Sequence, residues 1–102
     1  MVIWTDNAIL NITDFIDNSK SDENTAKEYM EKLIDYTEIL ETMPRIGKEM
    51  DNIRTKYELR QMIYKNHRII YHIKEDEIVI IAILHTRLDL DSAIKRLKRN
   101  FN

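Results

Sequence analysis

The chain has no cysteine, and it has a single glycine and a single proline among its 102 residues. Without cysteine there is no disulfide framework and no thiolate nucleophile, and a four-ligand zinc site lacks its usual sulfur donors. No apolar run approaches the roughly 18 residues that cross a bilayer. The longest, Ile78 to Leu84, is the size of a strand. The opening Met1-Val2-Ile3-Trp4-Thr5-Asp6 has neither the basic region nor the long apolar core of a secretory signal. Repeats and low-complexity tracts are missing as well. These absences lead us to expect a cytoplasmic protein with no cofactor, no metal and no membrane association.

What is present suits one globular domain over residues 1–102. Hydrophobic residues make up 43% of the chain, enough for a single core, and the 33% that are charged are mixed in sign, which argues against disorder. The net charge of −2 conceals an uneven distribution. Residues 1–43 carry three lysines against ten acids, a balance of −7, whereas residues 44–102 carry thirteen basic groups against eight acidic ones, a balance of +5. The basic half could face an anionic partner, or the two halves could neutralise each other within the fold.

Val2-Ile3-Trp4 is a short β-prone run, and Thr5-Asp6 follows as a helix cap. Ala8, Ile12, Phe15 and Ile16 recur at helical spacing, with Ile9 on the margin and Leu10 on the opposite side. A second helix, starting near Ser21 or Asp22, carries Ala26, Tyr29, Met30, Leu33 and Leu40 on one stripe. It must end near Met43, because the residue before Pro44 is pushed out of helical geometry. Pro44 to Lys56 reads as a loop. Three strands follow: Leu59 to Tyr64, His67 to Ile73 and Ile78 to Leu84. Their separations are short enough to demand antiparallel hairpins. The last two are apolar on both faces, so both faces need a cover. From Asp89 or Asp91 onward, Leu90, Ile94, Leu97 and Phe101 mark an amphipathic terminal helix over residues 89–102, with Lys95, Arg96, Lys98 and Arg99 around the remainder. The order β-α-α-β-β-β-α is an α+β layout, with an N-terminal strand and αα-hairpin packed on an antiparallel sheet.

Four segments in this order resemble the RelE/ParE toxin superfamily. They are Ile3-Trp4-Thr5 followed by Ala8; Pro44-Arg45-Ile46-Gly47-Lys48-Glu49; Leu59-Arg60-Gln61-Met62-Ile63 leading into His67-Arg68-Ile69-Ile70-Tyr71; and Ile80-Ile81-Ala82-Ile83-Leu84-His85-Thr86-Arg87. The resemblance implies a growth-inhibiting toxin held inactive by a cognate antitoxin. RelE-like members cleave messenger RNA on the ribosome, and ParE-like members poison DNA gyrase. A degenerate, non-toxic regulatory module is a third reading.

Ribosome-dependent cleavage needs a base for the attacking 2′-hydroxyl, a cation for the phosphorane charge and an acid for the leaving oxygen. A turn centred between Glu75 and Asp76 would pair Ile73 with Ile78 and Arg68 with Ile83. His85 would then share a face with Arg68. Arg87 could add a second cation, and Glu49 is a conceivable base. The resemblance to known nucleases carries over to Arg68 and His85 better than to Glu49. The ordinary alternative for Arg68 is an ion pair or a stem covering apolar surface. His67 and His72, five apart on one strand, face opposite ways and read as structural. The slightly acidic total charge and the lack of a lysine cluster, with only Lys48 and Lys56 near Arg45 and Arg54, lean towards the ParE branch. So do the long αα-hairpin and the Leu84-His85-Thr86-Arg87 exit. The antitoxin is expected to dock on the sheet together with the terminal helix.

Overall fold

Two polar side chains decide where the first helices begin. Thr5 Oγ1 accepts the Ala8 N–H at 3.1 Å, and an Asp22 carboxylate oxygen accepts the Thr25 N–H at 2.9 Å, each satisfying a donor that the first turn leaves open. The structure is a computed structural model that describes residues 1–50 and 56–101, with side chains as far as Lys95. Arg54 and the side chains of Arg96, Leu97, Lys98, Arg99 and Phe101, named above, lie outside the described residues. The elements are β1 (Val2–Trp4), α1 (Asp6–Asp17), α2 (Glu23–Tyr36), a 3-10 turn (Thr37–Glu41), β2 (Lys48–Glu49), β3 (Glu58–Tyr64), β4 (His67–Lys74), β5 (Glu77–His85) and α3 (Leu90–Phe101). None of the described helices is long and apolar enough to cross a membrane.

The strands form one sheet in the order β1-β5-β4-β3-β2. The three long strands run antiparallel as expected, while β1 joins parallel to β5, with Trp4 opposite Ile80. The loop after the second helix contributes an addition the sequence did not suggest: Lys48 and Glu49 pair with Gln61 and Arg60. The second helix also tightens sooner than its stripe implies. After Tyr36 it becomes a 3-10 turn, which keeps Leu33, Thr37 and Leu40 buried in line, and the Thr37 hydroxyl donates back to the Ile34 carbonyl at 2.6 Å.

Each sheet face has its own core. On one, α1 and α2 lay Ala8, Met30 and Leu33 over Met62, Ile69, Tyr71, Ile78, Ile80 and Ile83. On the other, α3 sets Ile94 against Ile70, Ile81 and Ala82, joined by Met50 and Leu59. This accounts for the apolar residues that β4 and β5 carry on both faces. It also means that the apolar stripe of α3, as far as Ile94, is spent within the fold and is not a vacant face awaiting a partner.

Tyr71, fully buried at the centre of β4, fastens the proline–glycine loop. Its hydroxyl donates to the Pro44 carbonyl at 2.8 Å and accepts the Gly47 N–H at 3.0 Å. A Cβ on Gly47 would sit 2.5 Å from that hydroxyl and 2.7 Å from the Gln61 carbonyl, so the loop can approach only because this residue has none. Tyr71→Phe strands both backbone groups and is expected to cost about 1–3 kcal/mol. Gly47→Ala should cost a similar amount, on the order of 1–3 kcal/mol, by overpacking. Denaturant melts of the two variants check this. Wild-type stability in both would mean that the loop is not held by this contact.

Candidate functional site

The β4–β5 hairpin determines which candidate side chains can meet. From its turn, Ile73 pairs with Ile78 as expected, and Tyr71 with Ile80. The register then shifts between Ile70 and Tyr71, so that Ile70 pairs with Ala82, Arg68 with Leu84 and His67 with His85. One extra residue in β5, a β-bulge, turns both Ile81 and Ala82 towards α3. Every side chain beyond it changes face. The expected pairing of Arg68 with Ile83 is therefore corrected: Arg68 and His85 lie on opposite faces of the sheet. Nothing in the isoleucine run marks the bulge.

His85 falls on the helical-hairpin side, in an aromatic cluster. Its ring meets that of His67 edge-on at 5.4 Å, and His67 is packed in turn by Phe15 at 5.1 Å and Tyr29 at 5.4 Å. His67 is buried and shares a 2.8 Å hydrogen bond between its Nδ1 and the Tyr29 hydroxyl. Burial, with a smaller contribution from His85, lowers its pKa and keeps it neutral. His85 Nδ1 accepts the Arg87 backbone N–H at 3.0 Å, which leaves Nε2 to carry the proton of the neutral ring. Arg87 and His85 are thus neighbours at the strand exit, with the Arg87 side chain exposed.

Arg68 looks the other way. Its Nη1 donates to Gln61 Oε1 at 2.9 Å, while its Nε is buried without a hydrogen-bond partner. Lys48 stands opposite Gln61 across the β2–β3 pair. Glu49, the conceivable base, pairs instead with Arg60 on the helical-hairpin face, 3.9 Å from Nη2. Arg60 is the centre of a fastening that sequence reasoning missed. Its Nε donates to Glu58 at 2.6 Å and its Nη1 to the Gly47 carbonyl at 2.7 Å, while Arg45 grips the same Glu58 through two 3.0 Å bonds. Hydrogen bonds from Arg60 and then Arg45 hold the Glu58 carboxyl below its usual range. The two-residue spacing of Glu58 and Arg60 on a strand was the available signal for this pair. The four candidates therefore separate into Glu49 at one edge, Arg68 on one face, and His85 with Arg87 at the far exit. Among the described residues, no three histidine or carboxylate side chains group to hold a metal.

The two buried histidines have a consequence for stability. His72, on the α3 face and stacked on Tyr57 at 4.6 Å, is also lowered by burial from the ordinary value of 6.5. In the unfolded chain both rings take up a proton first as pH falls. Stability is therefore full above about 6.5 and is lost progressively below it, as pH falls towards the folded pKa values. Thermal melting between pH 7.5 and 5.5 should show Tm falling with acidification, and His67→Phe should flatten that slope whatever its effect on Tm itself. An unchanged Tm across the window would mean that the histidines are free to ionise in the native state.

A family model for the ParE toxin of type II toxin–antitoxin systems, parDE, matches residues 2–90. Among solved structures, the chain is similar to one from the chromosomal ParDE toxin–antitoxin system of P. aeruginosa. The two share 14% sequence identity at a TM-score of 0.68, covering 84% of this chain and 95% of that one, which is a likeness of fold. No curated protein sequence matches. With nearly its whole length matched by the family model, the chain belongs to the ParE toxin family of type II toxin–antitoxin systems.

Proposed function

We propose that the chain arrests growth by binding DNA gyrase, that a cognate antitoxin protein neutralises it, and that it does not cut messenger RNA on the ribosome. Family membership supports the toxin–antitoxin setting. The observation that carries the choice of target is the bulge in β5. A guanidinium and an imidazole that must serve one phosphate are held on opposite faces of a sheet covered on both sides. Glu49 is engaged with Arg60 and belongs to neither. On this reading Arg68, His85, Arg87 and Glu49 are not a catalytic set, and inhibition comes from occupying a protein surface. The RelE-like endoribonuclease and the degenerate, non-toxic module are the competing readings.

Expression of the free chain in a bacterial host should halt growth, and co-expression of the antitoxin encoded beside it should restore growth. Purified chain should block supercoiling by DNA gyrase at stoichiometric concentrations. Primer extension on cellular messages should show no codon-phased cuts. Phased cuts with normal supercoiling would establish the nuclease reading instead, and normal growth on expression would leave only the degenerate module.

A further inference from the structure

β5 runs Ile78-Val79-Ile80-Ile81-Ala82-Ile83-Leu84, so a slip of one residue against β4 exchanges one apolar side chain for another at each of these positions. Without the bulge, Ile70 would pair with Ile81, Ile69 with Ala82, Arg68 with Ile83 and His67 with Leu84, one residue earlier than observed. Side-chain packing divides between the two registers. Over Ile69, Ala82 in place of Ile83 would leave the first core short of bulk. Beside His67, Leu84 in place of His85 would bring an aliphatic group to the aromatic cluster.

The backbone does not divide in this way. In an antiparallel strand the N–H and C=O of one residue point to the same side, and the side alternates along the chain. The Ile78 N–H donates to the Met1 carbonyl and the Ile80 carbonyl accepts the Thr5 N–H, both at 3.1 Å, so the even-numbered residues of β5 face outward there. A regular strand would continue that phase through Ala82 and Leu84. The bulge reverses it, and α1 meets the reversed phase. Asn7 Nδ2 donates to the Ile81 carbonyl at 2.8 Å, and Asn11 Oδ1, about one helical turn further on, accepts the Ile83 N–H at 2.9 Å. Each asparagine reads an odd-numbered backbone group that stands on this edge only in the bulged register. The bond from the Thr5 hydroxyl to the Ile80 carbonyl precedes the bulge and is common to both registers.

We propose that α1 is a lock on the register of β5, with Asn7 and Asn11 as the residues that select the bulged form. When α1 lifts from this edge both bonds are lost, β5 takes the regular register, and His85 crosses the sheet to the side of Arg68. The separation of those two side chains is then a state that α1 holds. The proposal concerns the register alone and is independent of whether gyrase is the target.

The test is NMR on the full chain. The Met50 N–H donates to the Leu59 carbonyl, so Met62 and Tyr64 face β4 and their partners Ile69 and His67 face β3. Ile69 and His67 therefore form the close, non-hydrogen-bonded kind of pair with β5, whose Hα atoms meet across the strands. In the wild type, Hα of Ile69 should contact Hα of Ile83, and Hα of His67 that of His85. Asn7→Ala with Asn11→Ala keeps α1 helical, and each lost bond should shift the ratio of the registers roughly ten-fold towards the regular one. The contacts should then move to Ala82 and Leu84. Asn11→Asp still accepts from Ile83 and should keep the wild-type contacts. If the double variant does not fold, Asn11→Ala alone is read in the same way, with the regular register expected as a second form in exchange. Wild-type contacts alone in the folded alanine variants would overturn the proposal, as would their loss in Asn11→Asp.

Discussion

A single inserted residue in β5 sets the geometry on which the rest of the molecule depends. Where β1 ends opposite Ile80, the outer edge of β5 continues without a strand beside it. Polar side chains of α1 and its cap take the place of one. The Thr5 N–H and hydroxyl both donate to the Ile80 carbonyl at 3.1 Å, Asn7 Nδ2 donates to the Ile81 carbonyl at 2.8 Å, and Asn11 Oδ1 accepts the Ile83 N–H at 2.9 Å. These bonds satisfy backbone groups that would otherwise be stranded beneath a helix. They also tie the bulge to α1. A bulge held in this way is a structural device and not a local accident.

Two packing consequences follow from that device. By turning two consecutive residues, Ile81 and Ala82, towards α3, the bulge gives the second core an apolar floor that strict alternation would deny it. By returning Ile83 and His85 to the helical-hairpin face, it closes the aromatic cluster around His67. The centre of the sheet is buried on both sides as a result. Tyr71 uses its rigid position there to hold the proline–glycine loop from below, and that loop in turn carries Arg45 and Gly47 to the Glu58–Arg60 pair. The far edge of β3 is thereby organised by contacts that begin in the middle strand.

The large features of this fold were legible because each rests on a repeating pattern. The helix stripes at Ala8 to Ile16 and Ala26 to Leu33, the caps at Thr5 and Asp22, and the three hairpin strands all follow from spacing and turn chemistry. What escaped was whatever depends on one residue. Extrapolating a two-residue period from the Glu75–Asp76 turn holds up to Ile80 and fails afterwards, and in an apolar run with no glycine no side chain announces the slip. The error is small in the chain and large in the site, since it moves His85 through the sheet. β2 was missed for a related reason: its two residues pair because Tyr71 and Arg60 draw the loop in, and neither contact is local in sequence.

The charge pattern gains its meaning from this arrangement. The acidic first half forms the helical hairpin, where two of the three lysines are already engaged with Glu23 and Glu28 one turn away. The outer surface of the hairpin is therefore negative. The hairpin covers one face of the sheet, so the cations of Lys48 and Arg68 emerge on the other side, at the β3 edge, and the molecule is polar although its net charge is only −2. Nucleic-acid surfaces are uniformly anionic and favour a broad positive field, which an acidic helical face opposes. A protein partner has no such uniformity: opposite signs at opposite ends orient its approach and reject misaligned encounters, with little need for net attraction. The separation of Arg68 from His85 and the separation of acidic from basic surface thus both support the proposal that the protein acts by fitting against another protein.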